Sequence, residues 1–403
     1  MGGSPAMATG TGLACQRERF SLPPGEHYLN CAYMAPSSRR VMEAGIAAAR
    51  SGGTPARLGP DDFFRGCDTV RALFAGLIGL DRPECVAVVP SVSYGLATVA
   101  RNTVLEARQN VVTLEGQFPS NVHGWRALCD TSRAELRVVS PPTTGEGRTA
   151  AWNEAILEAI DGATAVVALG SVHWTDGTPF DLERIGARAR EVGAAFVVDG
   201  TQSVGAAPFD VARVRPDALV CAGYKWLMGP YSIGVAYYGE RYDAGSPLEE
   251  TWMGREGSDD FSSLVRQGRE YRPGAARYDM GEAANFVLIP MLIAALEQVL
   301  GWGVDNIAAY ARGRRDELLG SPRLAAVGID VGEPGSAHLF GLCLPPDRDP
   351  ERVRARLASL GVHVSVRGPV VRVSPHVYND AENLEALLAG LEASLAWPTP
   401  PAR

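Results

Sequence analysis

The stretch A-F-V-V-D-G-T-Q-S-V-G at residues 195–205 passes from an apolar run to polar residues, and A-L-V-C-A-G-Y-K-W at 218–226 does the same. Both runs are continuously apolar, which is typical of strands that are covered on both faces of a sheet. Lys225 follows Asp199 by 26 residues, which is the length of one β-α-β step. We therefore expect Asp199 and Lys225 to face the same crevice of a parallel sheet.

Seven such runs between residues 85 and 238 predict the strands of this sheet. They are 85–89, 110–114, 135–139, 164–169, 195–199, 218–222 and 233–238. Helical spacing between them predicts helices at 95–106, 121–131, 153–159 and 182–192. The alternation predicts an α/β domain with a mostly parallel, seven-stranded sheet between helices.

The pattern changes after residue 239. Residues 239–281 are rich in Gly, Arg, Asp and Ser and predict a loop region. After it the sequence predicts helices at 284–300, 304–319, 350–360 and 381–395, and strands at 326–331, 337–344, 362–366 and 370–374. We expect a flexible segment at 1–27, a large domain at 28–284, a small α+β domain at 285–395 and a frayed tail at 396–403.

Composition limits the class of function. A chain of 403 residues with 46% hydrophobic content can form two cores. Its net charge of -8 and its scattered basic residues argue against a nucleic acid or a membrane surface as partner. The seven cysteines are widely spaced and form no C-x-x-C pair, which predicts free thiols and neither disulfides nor a metal site. With no signal peptide and no apolar run of about 18 residues, we expect a soluble, cytoplasmic protein.

Polar residues follow several predicted strands, where open α/β sheets bind their ligands. S-V-S-Y-G at 91–95 stands between a strand and a helix, so its N–H groups and the hydroxyls of Ser91 and Ser93 suit a phosphate. The alternative is that one of these serines only caps the helix. Asp199 at a strand end must be paired or serve a cationic ligand; the alternative is a structural salt bridge or a helix cap.

Lys225 is flanked by Tyr224 and Trp226, so its amine loses hydration and deprotonates more easily, as Schiff-base chemistry requires. The alternative is a lysine whose stem packs on Trp226 while its head reaches water. A phosphate site, a carboxylate for a ring nitrogen and an amine for an aldehyde together fit one ligand, pyridoxal phosphate. Asp199 would keep its ring nitrogen protonated.

The chain resembles the class V aminotransferase and cysteine desulfurase family of pyridoxal-phosphate enzymes from about residue 28 to residue 395. The motifs that match are Y-L-N-C-A-Y-M-A-P, S-V-S-Y-G, F-P-S-N, V-V-D-G-T-Q-S-V-G, G-Y-K-W-L-M-G-P, R-Y-D-M-G and V-R-V-S-P-H-V-Y-N. The resemblance implies the aspartate-aminotransferase-like fold, called fold type I. F-P-S-N is similar to the kynureninase-like branch.

The resemblance also implies a role for each matching residue. Lys225 would form the Schiff base, Asp199 would pair with the ring nitrogen, and Gln202 would hydrogen-bond the ring oxygen. Phe118 would stack on the ring, and Tyr224 stands where the family often has a phosphate-binding histidine. The other residues implied around the cofactor are Ser91, Ser93, Tyr94 and Trp174, the last in place of an asparagine.

On the substrate side, Arg372 matches the small-domain arginine that grips the substrate carboxylate in the family, since a guanidinium fork suits a carboxylate. The alternative is a surface arginine on an edge strand. Asn30 and Tyr33 are further implied substrate contacts. The family forms homodimers with sites at the subunit interface, and Gly281 or Asn285 would contact the partner's phosphate there.

One departure limits the reaction. The desulfurase pattern puts a nucleophilic cysteine shortly before the arginine, but G-V-H-V-S-V-R-G-P-V-V-R at 361–372 contains none. No thiolate is then available to accept sulfur, so we do not expect a desulfurase.

We expect a pyridoxal-phosphate enzyme that acts on an amino acid through a Schiff base, as an aminotransferase. The alternatives are a C–S or other β-elimination lyase on a cysteine-derived amino acid, a decarboxylating or epimerising relative, and a cofactor-free binding protein. His123 and His173 are either acid-base helpers or ordinary hydrogen-bonded residues. Four loop residues either shape the substrate pocket or belong to the surface: Trp252, Arg255, Arg269 and Arg277.

Overall fold

A seven-stranded sheet organises the larger part of the computed structural model, which describes residues 12–142, 147–333 and 335–396. The strands of the protein in chain order are β1 (His27–Tyr28), β2 (Val86–Val89), β3 (Asn110–Leu114), β4 (Glu135–Val139), β5 (Thr164–Gly170), β6 (Ala195–Asp199), β7 (Ala218–Ala222), β8 (Gly234–Tyr238), β9 (Phe340–Cys343), β10 (Val362–His363), β11 (Ser365–Arg367) and β12 (Val370–Val373). The large sheet has the order β2-β8-β7-β6-β5-β3-β4. Its neighbours are parallel, except that β8 is antiparallel to both β2 and β7. The predicted α/β class and mostly parallel sheet are confirmed.

Helices cover both faces of this sheet. They are α1 (Arg39–Ser51), α2 (Arg65–Leu77), α3 (Val92–Arg101), α4 (His123–Ser132), α5 (Arg148–Ala159), α6 (Leu182–Glu191), α7 (Val211–Val214), α8 (Leu288–Trp302), α9 (Val304–Leu319), α10 (Pro322–Ala326), α11 (Pro350–Ser359) and α12 (Ala381–Leu395). The predicted helices are present; α9 and α12 have the predicted ends, and the others are shifted at one or both ends. Helices α1, α2, α7 and α10 were not predicted.

Alternate side chains of the strands enter two different apolar clusters. In β2, Val86 and Val88 pack with residues of α1, α2 and α8, whereas Ala87 and Val89 pack on the opposite face with residues of α3 and α4. All four are fully buried. Because each buried valine contributes about 1.5–3 kcal/mol relative to an exposed one, the sheet is stable only between two helical layers. This double covering explains why the strands are continuously apolar.

A smaller unit carries a second sheet, β11-β12-β9, whose neighbours are antiparallel. Its apolar cluster includes residues of α11 and α12, and β1 pairs with β10 in parallel. The predicted strand at 326–331 is wrong. Ser321 caps α10 with Pro322 at its first turn, and Gly328 has a φ of 76°, so this stretch forms a helix and a turn.

The packing differs from the predicted domain limits in two places. The apolar side chains of α8 belong to the cluster of the large sheet, so the change of core lies further along the chain than residue 285. The described part of the segment predicted to be flexible is packed, because Phe20 is buried with its ring 5.1 Å from that of Tyr378. Residues 1–11 and 397–403 lie outside the described residues. The domain limits stay a prediction.

The segment 239–281 contains three short 3-10 helices, at Glu240–Tyr242, Leu264–Arg266 and Gly274–Tyr278, and no strand of either sheet. A buried ion pair joins its end to the core, since the Arg71 guanidinium contacts both carboxylate oxygens of Asp279. Asp279 also accepts from the Val88 N–H at 2.8 Å. Among the described residues, no single helix is both long and apolar enough to cross a bilayer, and only α8 with the helical stretch 304–326, bent by 72°, passes as a pair.

Candidate active site

A cavity of about 310 Å³ opens at the carboxyl ends of the parallel strands. Gly170, Asp199 and Ala222 line it from the ends of β5, β6 and β7. The predicted cofactor residues that the structure brings together in its wall are Ser91, Ser93, Phe118, Trp174, Asp199, Gln202, Tyr224 and Lys225. Ligands of open α/β sheets bind at this edge, so the cavity is the candidate site.

Tyr94 is the predicted cofactor residue that does not line the cavity. Its ring packs with the apolar clusters on the sheet, and its hydroxyl is buried without a hydrogen-bond partner. Tyr94 lies one residue beyond Ser93 on α3, and the helical rotation of about 100° per residue turns it away from the cavity toward the core.

Lys225 is 6% exposed, and its amine projects into the cavity between two aromatic rings. Its Nζ lies 5.5 Å from the centre of the Phe118 ring and 5.7 Å from that of Tyr224. Burial lowers the pKa of Lys225 to about 8, although the carboxylate of Asp199 opposes the change. A lysine at this pKa is partly neutral near pH 7 to 8, and its role as the reactive amine stays a prediction.

A tight loop holds the backbone on either side of this lysine. The Gly223 N–H donates to the Ile233 carbonyl at 2.9 Å, and the Gly229 N–H donates to the Gly223 carbonyl at 2.8 Å. A Cβ on Gly223 would lie 2.5 Å from the Ile233 oxygen, so only glycine allows this closure. Met228 and Ser232 both have positive φ, at 59° and 66°. Such strained positions persist where the surrounding structure requires one backbone course.

Asp199 lies across the cavity at the end of the neighbouring strand β6. Its carboxylate accepts from the Thr201 N–H at 3.0 Å. Burial raises the pKa of Asp199, while the Thr201 hydrogen bonds and the charge of Lys225 oppose this rise. A cation placed against the carboxylate would favour its ionised form further.

The N-terminus of α3 lies at one end of the cavity. The Ser91 hydroxyl accepts from the Tyr94 N–H at 3.1 Å and so caps the ten-residue helix, which agrees with the structural alternative for this serine. Ser93, in the first turn, also lines the cavity. Free N–H groups and the helix dipole favour an anion at such a position.

Two predicted contacts already use part of their hydrogen-bonding capacity. Gln202 donates to the Ala32 carbonyl at 3.1 Å and accepts from the Trp226 indole at 3.1 Å, which leaves one amide N–H. Trp174 donates its indole N–H to the Gly116 carbonyl at 2.7 Å, and its ring meets that of Phe118 edge-on at 5.3 Å. Trp174 therefore forms a flat apolar wall and does not replace the asparagine as a donor.

Sequence reasoning missed five polar residues of the cavity wall. Gln117 is buried, and its amide nitrogen has no partner among the described residues. The others are Ser120, Thr201, Tyr231 and Ser232. Position after a strand was the available signal for Gln117, which immediately precedes F-P-S-N. An orphaned buried amide beside the cavity indicates a polar ligand.

The predicted substrate residues lie next to the cavity on the side of the small sheet, outside its lining. Arg372 is 1% exposed and donates to the Trp174 carbonyl at 2.8 Å. Asn30 is buried and accepts from the Ser365 hydroxyl at 2.7 Å, while Tyr33 is 58% exposed. The alternative of a surface arginine is wrong for Arg372. Burial lowers the pKa of Arg372 to about 9.

The two histidines lie outside the cavity lining. His123 is exposed at the start of α4. His173 is buried, with its ring nitrogens 2.6 Å from the Thr175 hydroxyl and 3.2 Å from the Glu115 carbonyl. Burial lowers the pKa of His173, so this residue is a neutral, hydrogen-bonded core histidine.

The four loop residues do not line the cavity either: Trp252, Arg255, Arg269 and Arg277. Arg255 contacts Glu250 and lies 4.1 Å from the centre of the Tyr271 ring, and Trp252 packs on Phe63 at 6.2 Å. They stabilise the loop region itself. Within the chain, the Gly281 N–H donates to Glu249, and the Asn285 carboxamide accepts from the Val287 and Leu288 N–H groups.

Lys225 is the only lysine of the chain, which has 38 lysine and arginine residues in total. Arginine serves at every other basic position, including the salt bridges. An arginine cannot supply a neutral nucleophilic amine, because its guanidinium keeps its proton in proteins. The single lysine of the chain therefore lies in the wall of the candidate cavity.

Residues 60–325 match the profile of the family described as Aminotransferase class-V, which is more than half of the chain. Two curated relatives are 27% identical to this chain. One is an uncharacterized aminotransferase, YcbU, of Bacillus subtilis, which covers 77% of this chain and 79% of its own length. The other is a cysteine desulfurase of an Enterobacter species, which covers 91% and 92%.

Solved structures of the protein C-DES share the fold. A lysine-to-alanine mutant with glycine covalently linked to its PLP cofactor has a TM-score of 0.81 at 17% identity and covers 95% of this chain and 100% of its own. A complex of this cystine C–S lyase with its product, cysteine persulfide, has a TM-score of 0.79 at 18% identity, over 91% and 97%. This chain belongs to the aminotransferase class-V family, whose members are pyridoxal-phosphate-dependent enzymes of amino acids.

The cavity fits the cofactor of the family. It offers a helix N-terminus for the phosphate, a buried amine for the aldehyde and a buried carboxylate for the ring nitrogen. The partnerless amide nitrogen of Gln117 supplies a further donor toward a polar ligand. The chain is thus a pyridoxal-phosphate-dependent enzyme that acts on an amino acid.

Proposed function

We propose that this enzyme is an aminotransferase, with Lys225 as its reactive amine. The observation that supports the proposal best is the placement of this buried lysine between the Phe118 and Tyr224 rings and across the cavity from Asp199. The family profile and the aminotransferase among the relatives agree with this reaction class. Bound pyridoxal phosphate supplies an aldehyde that captures the amino group and a ring that stabilises negative charge.

In this proposal, Lys225 both holds the cofactor and moves protons. With a pKa of about 8, its Nζ is partly neutral at physiological pH and can accept the Cα proton of a bound amino acid. The centres of the Phe118 and Tyr224 rings lie 5.5 Å and 5.7 Å from the amine. Asp199 would hold the ring nitrogen of the bound cofactor and supply a negative charge there, which would favour the loss of a proton from Cα.

Arg372 orients the substrate. Its guanidinium is already fixed through the Trp174 carbonyl at 2.8 Å, and its Nε is buried without a partner. A carboxylate that pairs with this group gains charge-assisted hydrogen bonds and places Cα toward the cavity. Asn30, held by Ser365 at 2.7 Å, lies on the same side and is a second proposed contact.

The thiols of the chain argue against a persulfide-forming desulfurase. All seven cysteines are free, and none of them lines the Lys225 cavity. Cys31 is near enough to Lys225 to influence the pKa of the lysine. Burial raises the pKa of the Cys31 thiol to about 12, so this thiol stays protonated. Cys343 is exposed, yet it lines a separate cavity together with Asp176. A sulfur acceptor must be a reachable thiolate.

A C–S lyase is the second candidate, because elimination needs the amine and the ring but no protein thiol. The lack of a thiol in the cavity wall is compatible with a lyase as well as with an aminotransferase. C-DES, which shares the fold, is a cystine C–S lyase. Lys225 would still remove the Cα proton, and the bond to the β-substituent would then break.

Product analysis separates these reactions. Purified, cofactor-loaded enzyme is incubated with single amino acids, with and without a keto acid such as 2-oxoglutarate. Transfer of the amino group only when the keto acid is present supports the aminotransferase. Pyruvate with ammonia or thiol, released without any keto acid, contradicts it and supports the lyase.

We further propose that the enzyme works as a homodimer in the cytoplasm. An aromatic cluster of Phe63, Trp252, Phe261 and Phe286 is partly exposed beside residues 281–285, and exposed apolar patches of this kind mark protein interfaces. The seven free cysteines suit a reducing compartment. Light scattering that gives the monomer mass at micromolar concentration would contradict the dimer.

A further inference from the structure

Two arginines share one face of the small sheet, next to the wall of the cavity. Strand pairing sets Arg372 directly opposite Ser365, and Arg367 follows Ser365 by two residues on β11. Residues opposite each other and residues two apart on a strand point to the same face. Arg367 and Arg372 are therefore diagonal neighbours on that face.

Trp174 connects both guanidinium groups with the cavity. Arg367 lies over the indole ring at 5.1 Å from its centre, and Arg372 donates to the Trp174 carbonyl at 2.8 Å. The same indole forms part of the cavity wall together with Lys225. The positive charges of both arginines lower the pKa of Lys225.

The charges on this side of the cavity are not balanced within the described part of the chain. Neither guanidinium forms a salt bridge there, and the Nε atoms of both are buried without a partner. The carboxylate of Glu351 acts on Arg367 through its charge but forms no salt bridge with it. Glu351 instead accepts a hydrogen bond from Arg354 at 2.6 Å. Burial and the nearby Arg367 together lower the pKa of Arg372. Two adjacent cations, one buried and one half-buried, are costly unless anions pair with them.

We propose that Arg367 binds an anionic group at the end of the substrate's side chain, so that the enzyme selects dicarboxylic and similarly anionic amino acids. This inference rests on the proposed function, in which Arg372 takes the α-carboxylate. Arg367 then still needs an anionic partner, which the side chain of the substrate can supply. Arg367 is half-buried at the turn that ends β11, so a longer substrate can reach it from the open side of the cavity.

Binding is measured on the cofactor-loaded enzyme from the change in cofactor absorption as amino acids are added. The probes are matched pairs: L-aspartate with L-asparagine, L-glutamate with L-glutamine, and O-phospho-L-serine with L-serine. At least one anionic member is expected to bind about tenfold to hundredfold more tightly than its neutral partner, the range of one charge-assisted hydrogen bond. Ratios near one for all three pairs overturn the inference.

Substitutions test whether Arg367 causes the preference for anionic amino acids. Arg367→Gln is expected to abolish the preference, measured as the ratio of the affinities within each pair, and Arg367→Lys to retain part of it. Arg352→Gln, an exposed arginine of α11 with a side chain 66% exposed, is the matched control and should change nothing. A preference that survives in Arg367→Gln overturns the inference. If no amino acid perturbs the cofactor, the proposed function itself fails, which is a different result from binding without preference.

Discussion

Asp199 ends β6 and Lys225 follows the neighbouring parallel strand β7, and both side chains line one cavity. The sheet register sets this relationship, because Asp199 pairs with Val220, five residues before the lysine. One carboxylate and one amine thus lie at the same edge of the sheet. The predictions below follow from this pair and from the groups around it.

The uptake of pyridoxal phosphate by the apoprotein should depend on pH. Because burial lowers the pKa of Lys225 to about 8, the amine is charged below that pH and neutral above it. The rate of uptake is expected to rise through pH 8 and to level off above it. For an exposed lysine, whose pKa is about 10.4, the rise would be centred near that pH. The rate is followed by absorbance between pH 6 and 10. A rise centred above pH 10 would contradict a desolvated amine.

Asp199→Asn should separate cofactor binding from catalysis. The variant is expected to attach the cofactor to Lys225 but to turn over about a hundredfold to a thousandfold more slowly, as when other electrostatic groups are removed from active sites. Steady-state turnover and the cofactor spectrum are measured together. Asp259→Asn, in the exposed loop, serves as the control. Full activity of Asp199→Asn would rule out its electrostatic role.

Arg372→Lys should weaken substrate binding more than it slows the chemical step. The variant keeps a positive charge but loses the planar fork, so KM is expected to rise about tenfold or more with a smaller change in kcat. Initial rates over a range of amino-acid concentrations give both constants. An unchanged KM would show that the α-carboxylate binds elsewhere.

Cys343→Ser should leave activity within twofold of the original enzyme. The reason is that Cys343 lines a cavity other than that of Lys225. Activity with a cysteine-derived substrate and intact mass after the reaction are the measurements. A persulfide of 32 Da on Cys343, together with lost activity in the variant, would restore the desulfurase interpretation.

The ion pair of Arg71 and Asp279 should matter for stability. Arg71→Met leaves the buried carboxylate of Asp279 without its cation, and loss of one partner of a buried pair costs about 3–5 kcal/mol. Urea unfolding of the apoprotein measures the loss. Arg184→Gln, which removes an exposed pair with Glu154, should cost at most about 1 kcal/mol. Equal effects of the two variants would contradict the account.

The sequence predicts the large sheet well because its strands are buried on both faces and hence continuously apolar. It misses α1 and α2, although both bury one apolar face, with Val41 in α1 and Val70 and Phe74 in α2. In the small domain, the short apolar stretch after residue 326 was assigned to a strand although a helix and a turn form there. Short apolar runs fit both structures, and tertiary packing decides between them.

The site could be predicted where chemistry and position coincide. Asp199, Gln202 and Lys225 follow strand ends, and all three line the cavity. Gln117 was missed because its orphaned amide is visible only in three dimensions, and Arg367 because its partner residue Trp174 is distant in sequence. A local sequence motif does not include contacts between residues that are distant in the sequence.

Hydride trapping of the cofactor tests the central claim most directly. The chain has a single lysine, so reduction of the cofactor-loaded enzyme with borohydride should add one phosphopyridoxyl group to each chain, on the peptide that contains Lys225. Lys225→Ala, which has no side-chain amine left, should add none. A colourless protein that ignores added pyridoxal phosphate, or a variant that is labelled as fully as the original, would contradict the account.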